Sequence, residues 1–446
     1  MKNKNLFDKT YWLCWLSVAL AVGVYCFWYF GRPYLLLARE QSQLFLWNCD
    51  YLTERLVVPG GLAQYVGEML VQFFVKPAYG ALIYAVLFLL TQWLTWRILC
   101  GKRKEERGNL QFDNLQFTIS NTEHPKGQYP NDQTTKGREK RGRRKVLLYL
   151  LSLVPPLVLL WAGTKIYVPL TLTVGVVATL AVMAFMPKGK WARIVVVLLM
   201  VTVGYWLLGP AVVLTPLMLL PLWKESWSSW VCALAMWLVL LACVLGSSWL
   251  TPYPLRQVAR GIDYYWEQKK LGKTEEMRYD MLLRAKQWEK VVSLYYAERP
   301  QSLALQSASA LAMFHTGRIN EQMLQQSLSV SNKSIGSQST AFIMSDVYIQ
   351  LGMSNMAQRA AFEAMEAVPN YNKSGRALLR LVETNLVAGQ TEVAKKYIRQ
   401  LEQTTFYRGH ARQLRRFAEQ PSLLDKHPKY GTMRKLFKYS KDVFFY

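Results

Sequence analysis

The sequence predicts an all-α protein: a helical bundle that spans a membrane about seven times, followed by a soluble α-solenoid tail. Three observations carry this prediction. Dense uncharged apolar runs fill much of the first 250 residues, and from about residue 260 amphipathic helices alternate with short turns instead. The chain is also 52% hydrophobic with a net charge of +25. That combination excludes a disordered nucleic-acid-binding tail and an ordinary cytosolic enzyme.

Uncharged windows define the spans of a transmembrane domain at 1–250. One span needs roughly 20 apolar residues, because a helix rises about 1.5 Å per residue. The windows predict seven spans, near 11–30, 77–97, 146–164, 166–186, 194–208, 210–223 and 228–250. Gly209-Pro210 separates the fifth from the sixth, since proline breaks a helix. One kinked span in place of these two would give six.

Positive charge orients the bundle. Lys2, Lys4 and Lys9 precede the first span, and the polar connection 101–145 is strongly basic. Because cytoplasmic loops collect Lys and Arg, the N-terminus and this connection are predicted to be cytoplasmic, the connection as a mobile loop. The basic run 141–145 abuts a span, so it predicts topology and not nucleic-acid binding. Seven spans would place the tail in the periplasm of a bacterial inner (plasma) membrane, and six in the cytoplasm.

The outer connection 31–76 is predicted to hold two amphipathic helices in the membrane interface. Apolar residues recur at helical spacing from Leu62 to Phe73, and 34–52 also has a helical pattern. A polar stripe lies opposite the apolar one: Gln64, Glu68 and Gln72.

This layout resembles the GT-C superfamily of glycosyltransferases, which use lipid-linked sugar donors. The resemblance implies a catalytic carboxylate in the first outer loop, with Glu40 as the first candidate and Asp50 as the second. The same acids are explained equally by the wet face of an amphipathic helix. A transporter is a third hypothesis: the proline-broken helices near 210–221 favour it, and the lack of ionisable residues within the spans opposes it.

No cofactor or metal centre is predicted. The six cysteines form no CxxC pair and the four histidines are scattered, so no ligand cluster is apparent. Phosphate-binding loops, dinucleotide fingerprints and nucleophile elbows are also missing from the sequence. The sequence therefore leans away from an enzyme.

The tail, 260–446, resembles tetratricopeptide (TPR) repeats. Gly317, Gly352 and Gly389 stand 35 and 37 residues apart, close to the 34-residue TPR period. The segment Lys286–Lys290 resembles the turn of a further degenerate copy. The residues that match the repeat signature are Tyr348, Gly352, Ala357, Ala364, Pro369, Gly389 and Ala394.

A helical solenoid usually binds a protein or peptide along its concave face, which is the predicted function here. The alternative left open is a tail that packs on its own membrane domain. From Arg260 onward 28 basic residues stand against 17 acidic ones, which favours acidic partners or anionic lipid headgroups. The candidate anion contacts are Arg408, Arg412, Arg415 and Arg416.

Four segments are together similar to an uncharacterised family of bacterial multi-span membrane proteins with a TPR-like tail. They are 40–46 (EQSQLFL), 58–74 (VPGGLAQYVGEMLVQFF), 360–383 (AAFEAMEAVPNYNKSGRALLRLVE) and 389–411 (GQTEVAKKYIRQLEQTTFYRGHA). The resemblance implies an inner-membrane location and adds no chemistry.

Overall fold

The protein is all-helical in the part of the chain that its computed structural model describes, residues 5–118, 133–187, 189–225, 228–328 and 336–439. No strand occurs within those ranges. Apolar side chains form one core in the tail, which also includes Leu44, and others centred on the first 250 residues, one of which also includes Trp266, Leu271 and Met277. This confirms the all-α class.

The first 250 residues form the bundle and the outer loop. Their helices are α1 Asn5–Cys26, α2 Pro33–Gln41, α3 Cys49–Leu56, α4 Gly61–Val71, α5 Pro77–Thr118, α6 Gln133–Gly163, α7 Leu170–Ala184, α8 Lys190–Leu199, α9 Tyr205–Leu208 and α10 Ser228–Leu250. Short π-helical and 3₁₀ segments join them: Phe27–Gly31, Gln72–Val75, Met200–Gly204 and Gly209–Glu225.

Five helical segments of the described chain are long and apolar enough to cross a membrane. They are Trp12–Gly31, Pro77–Cys100, Lys145–Gly163, Lys190–Leu219 and Trp230–Leu250. The predicted span 166–186 is the shorter apolar helix α7, of 15 residues. The predicted spans 194–208 and 210–223 fall largely within the single segment Lys190–Leu219. By length and composition, therefore, the structure gives five candidate spans where the sequence predicts seven.

The chain turns back at Gly209, within the fourth of these segments. Gly209 has φ +69°, which L side chains rarely adopt. A Cβ there would lie 3.3 Å from the Cα of Gly60, so the close approach of the outer loop also requires glycine. The 3₁₀ segment that follows packs against α8 and α10. The break therefore occurs at the Gly-Pro step where the sequence predicts it.

Two sequence predictions about the connections are wrong. The connection 101–145 was expected as a loop, but α5 continues to Thr118 and α6 begins at Gln133, while 119–132 lies outside the described residues. The Lys, Arg, Glu and Gln residues of this connection are good helix formers. Because extending an existing helix avoids the cost of nucleating a new one, α5 and α6 continue into it. The predicted helix 34–52 is interrupted, because Asn48 caps a new helix by accepting a bond from the backbone N–H of Tyr51 at 2.6 Å.

The tail is a series of helices in which neighbours along the chain pack together. The described helices are α11 Leu255–Arg260, α12 Gln268–Leu271, α13 Thr274–Arg284, α14 Trp288–Glu298, α15 Leu303–His315, α16 Glu321–Ser327, α17 Gln338–Gln350, α18 Ser354–Glu366, α19 Gly375–Val387, α20 Thr391–Glu402, α21 Arg408–Glu419, α22 Pro421–Lys426 and α23 Pro428–Tyr439. Short turns join α13 to α14, α15 to α16, α17 to α18 and α19 to α20.

The same turn closes the first helix of each of these four pairs. Its left-handed residue is Lys286, Gly317, Gly352 or Gly389. In each case that residue donates its N–H to the carbonyl three residues earlier, and the next residue donates to the carbonyl five residues before itself. These two bonds define the Schellman C-cap, which satisfies the last carbonyls of a helix. The turn positions in the sequence prediction thus share one geometry.

We expect Gly352→Ala to lower Tm more than Gly317→Ala. Both residues have positive φ, which costs a side chain about 1–2 kcal/mol. At Gly352 the new Cβ would also lie 2.9 Å from Leu436 Cδ1, whereas at Gly317 nothing lies within 4 Å. Thermal unfolding of the purified chain in detergent, at one scan rate, measures the difference. Equal losses would contradict the packing of α23 on this turn.

Candidate functional site

The segment 42–48 of the outer loop, which connects α2 to α3, packs on the tail. Ser42 Oγ donates to Gln338 Oε1 of α17 at 2.7 Å, and Leu44 is buried in the tail's main core. Farther along, the backbone N–H of Trp47 donates to the carbonyl of Gln403 at 3.0 Å. The tail therefore holds a segment of the outer loop against it.

A buried ionic cluster centres on Arg376 of α19. Its Nη1 donates to both carboxylate oxygens of Asp280 on α13, at 2.8 and 2.9 Å, and to Gln41 Oε1 at 3.1 Å. Its Nη2 donates to Asp346 of α17 at 2.6 Å. Burial opposes ionisation of Asp346, but Arg376 and Arg380 outweigh it and lower the pKa of its carboxyl. One guanidinium thus joins three tail helices to α2.

Glu40, the predicted catalytic carboxylate, is buried beside this cluster. Only 3% of Glu40 is exposed, and its Oε1 accepts a hydrogen bond from the Tyr407 hydroxyl at 2.7 Å. Its Oε2 has no hydrogen-bond partner among the described residues. Burial raises the pKa of Glu40, and the nearby Arg284, Tyr407 and Arg376 offset this only in part. The wet-face interpretation of Glu40 is therefore wrong, because the tail covers it.

Asp50 is not part of this cluster. It lies exposed in the first turn of α3, where a carboxylate stabilises the positive end of a helix. Within the described chain no hydrogen bond joins it to Glu40. The two predicted acids therefore do not form an acid–base pair in this structure.

A second buried cluster surrounds Glu68 of α4. Its carboxylate accepts from Arg55 Nε at 2.9 Å, from the Tyr51 hydroxyl at 2.5 Å and from Gln64 Nε2 at 2.9 Å. Arg55 Nη2 also donates to Asn372 Oδ1 of the tail at 2.7 Å. The polar stripe of α4, predicted to face away from the apolar one, therefore points into the protein.

Asp263 joins the bundle, the outer loop and the tail. It is 3% exposed, and its carboxylate accepts from Thr171 of α7 at 2.9 Å, Gln43 at 3.3 Å, Trp266 at 2.7 Å and Asn370 at 3.1 Å. Burial raises its pKa, while the bonds from Trp266, Asn370 and Thr171 lower it without cancelling the effect. The sequence does not single out this residue, since three of its four donors lie at least 92 residues away along the chain.

Arg39 is a buried cation whose hydrogen bonds go mainly to backbone carbonyls. Its guanidinium is fully enclosed and donates to the carbonyls of Gly163, Lys165 and Val168 at 2.6, 2.8 and 3.0 Å, and to the Tyr84 hydroxyl. No ion pair with a carboxylate is found for it within the described ranges. Gly163 ends α6, so the cation caps the negative end of that helix dipole.

The other predicted residues have structural surroundings. Ala357, Ala364 and Ala394 are fully buried between helices, as close helix packing requires. The residues Tyr348, Gly352, Pro369 and Gly389 lie at helix ends or turns. In the basic patch, Arg408 donates to the Glu402 carbonyl and Arg415 to its carboxylate, whereas Arg412 and Arg416 are exposed.

Within the described residues, the fold and this junction define an all-helical protein with five helical segments long and apolar enough to cross a membrane, and with a tail of helix pairs that packs on the loop 31–76. The chain belongs to the Family of unknown function (DUF6057), which matches residues 9–446. Comparisons with curated proteins and with solved structures give no match. The predicted likeness to an uncharacterised family is thereby confirmed. The four segments that carried it, 40–46, 58–74, 360–383 and 389–411, all contribute residues to the junction.

We expect Glu40→Gln to preserve folding and to change its pH dependence. Glutamine keeps an acceptor for Tyr407 but carries no buried charge. Because the native pKa of Glu40 is raised, wild-type stability falls as pH rises from the unfolded value of about 4.5 through the native pKa. The Tm of the variant should therefore equal or exceed that of the wild type by up to about 4 °C at pH 7.5.

The gap in Tm should narrow as the pH falls, because native Glu40 is then increasingly protonated. Thermal unfolding of both proteins at a series of pH values measures this gap. Groups that titrate equally in the two proteins do not contribute to the difference in Tm. A variant less stable than the wild type at pH 7.5 would contradict this assignment. Loss of a cellular phenotype in a variant that folds normally would instead support the glycosyltransferase hypothesis.

Proposed function

We propose that this chain is a multi-pass inner-membrane protein whose TPR-like tail is a fixed platform for a protein or peptide partner. The observation that carries the proposal is the turn that recurs in four helix pairs of the tail. Segment 42–48 packs on the tail and holds it in one orientation above the bundle, and a partner meets the tail on a side that this segment leaves open. Bacterial origin follows from the family resemblance only.

The recurrent turns support a repeat architecture. Four Schellman caps, at Lys286, Gly317, Gly352 and Gly389, close helix pairs at near-regular intervals. Each pair alone exposes an apolar face, and stacking of successive pairs covers it. The fully buried alanines between the pairs allow the close approach that TPR packing uses. Catalysis receives less support, since a sugar donor would have to reach Glu40 through the covering tail.

We expect Leu44→Asp to release the tail from the outer loop. Leu44 is 6% exposed and packs into the tail core, where an unpaired carboxylate is strongly destabilising. The link between α10 and α13, 251–273, should then be cut faster by protease, and Tm should fall. Val393→Asp is the matched control, since Val393 lies on the tail with 38% of its surface exposed.

Limited proteolysis of the purified proteins, followed by mass spectrometry, compares the two variants. Equal protection of 251–273 in Leu44→Asp and wild type would refute the docking role of segment 42–48. Equal cleavage of both variants would show that an added charge anywhere on the tail loosens it.

We also propose seven crossings of the membrane. At one end of the bundle Arg39 meets Gly163, and Trp206 Nε1 donates to the carbonyl of Leu56. At the opposite end Arg97 Nε donates to the carbonyl of Ala184. These contacts support a path in which α7 runs away from the outer loop and α8 and α9 return to it. The segment Gly209–Glu225 then runs away from the loop again, and α10 returns to the loop side.

The contacts between tail and outer loop also support an odd number of crossings. The loop 31–76 follows one crossing, and the tail packs on it, so both lie on one side of the membrane. With the N-terminus in the cytoplasm, that side is the periplasm. The alternative of six spans would separate the two partners of the Glu40–Tyr407 bond.

Fusions at the C-terminus test this topology. We expect a reporter that is active only outside the cytoplasm to be active, and a reporter that fluoresces only inside it to stay dark. The same pair fused after residue 118 should give the opposite pattern, because that position lies on the predicted cytoplasmic side. Fluorescence from the C-terminal fusion would refute the proposed orientation of the tail.

A further inference from the structure

A cleft opens where the last candidate span meets the tail. Its volume is about 790 Å³, within the range of roughly 300–1,000 Å³ that small-molecule sites occupy. Three parts of the chain line it: residues 252–260 after α10, residues 265–270, and the turn 365–373 after α18. The cleft takes no part in the contacts of segment 42–48 with the tail.

The lining of the cleft is cationic. Arg256, Arg260, Lys270 and Lys373 contribute to it, against two acids, Glu267 and Glu366. All six are exposed. Lys270 lies 3.8 Å from Glu267, and the Arg260 guanidinium lies 4.8 Å from the centre of the Tyr265 ring. Arg256, Arg260 and Lys373 form no ion pair with another described residue, so their charge is available to an anion.

A buried donor without an acceptor also lines the cleft. Asn372 is 4% exposed, and its Oδ1 accepts from Arg55 at 2.7 Å. Its Nδ2 has no hydrogen-bond partner among the described residues. A buried amide left unpaired is costly, and an oxygen of a bound ligand would satisfy it. Arginines beside an amide donor match the chemistry of a phosphate oxygen.

The position of the cleft indicates where such a phosphate comes from. The helix α10 ends at Leu250, where Trp249 and Leu250 are 91% and 76% exposed, and the lining of the cleft begins at Pro252. A tryptophan at the end of an apolar span is typical of the headgroup level of a bilayer. Cations immediately beyond a span attract anionic lipids. Acyl chains could therefore lie along α10 while the headgroup enters the cleft.

We propose that this cleft binds the phosphate headgroup of an anionic phospholipid. Arg256 and Arg260 supply the charge, and Asn372 Nδ2 donates a hydrogen bond to a phosphate oxygen. Because Asn372 also holds Arg55, an occupied cleft would strengthen the contact between tail and outer loop. The proposal does not depend on a protein partner for the tail.

The test measures binding of short-chain phosphatidylglycerol to the purified full-length chain in detergent. The double variant Arg256→Ala/Arg260→Ala and the single variant Asn372→Asp should each raise Kd at least about tenfold, or about 1.4 kcal/mol. Asn372→Asp keeps the acceptor for Arg55, so it should fold even if the arginine variant does not. The matched control is Lys396→Ala/Arg399→Ala, which removes two exposed cations of α20 and should leave Kd within about twofold.

Two further ligands distinguish the source of the anion. Short-chain phosphatidylcholine should bind at least about tenfold more weakly, and inorganic phosphate alone should not raise Tm. Equal binding of phosphatidylcholine would overturn the proposal, because the anionic charge would then play no part. An equal response to inorganic phosphate would assign the cleft to a free anion and overturn the lipid headgroup. An equal loss in the Lys396/Arg399 control would overturn the proposal, because general charge attraction would then explain the binding.

Discussion

The arrangement of this protein depends on charged groups that are buried where the tail meets the outer loop. Arg376 is 9% exposed and binds Asp280 and Asp346. Removing such ions from water costs several kcal/mol each, which only near-ideal pairing recovers. The pairing is complete only when α13, α17 and α19 stand in one register and α2 supplies Gln41. We infer that this cluster specifies a single docked geometry more than it adds stability.

The three buried clusters each hold different parts of the chain in place. Arg376 fixes the tail helices relative to α2, Glu68 fixes α3 and α4, and Asp263 connects α7 to the tail. Two of them reach the same turn, since Asn370 donates to Asp263 and Asn372 accepts from Arg55. The turn after α18 is therefore the point where the bundle, the loop and the tail are coupled. A ligand bound at this turn would therefore contact the point that couples all three.

The sequence predicts most of the helices because their signals are local. Uncharged windows of about 20 residues mark spans, and glycines at regular spacing mark the turns of the tail. The docked segment 42–48 could not be predicted, because its residues continue a helical pattern and its partners beyond the loop lie far along the chain, 220 residues away for Gln43 and 296 for Ser42. The Arg376–Asp280 pair spans 96 residues. The residue pattern of a single helix carries no information about a bond between residues so far apart along the chain.

The same reasoning explains why the sequence does not predict the burial of Glu40. Arg39 and Glu40 are adjacent charges on an amphipathic helix, and such residues usually face water. Here each is buried against a different partner, Arg39 against the end of α6 and Glu40 against Tyr407. Adjacent residues of a helix point about 100° apart, so one short helix can insert opposite charges into two cores. The helix α2 therefore lies between the bundle and the tail. Arg39 contacts the bundle, and Glu40 contacts the tail.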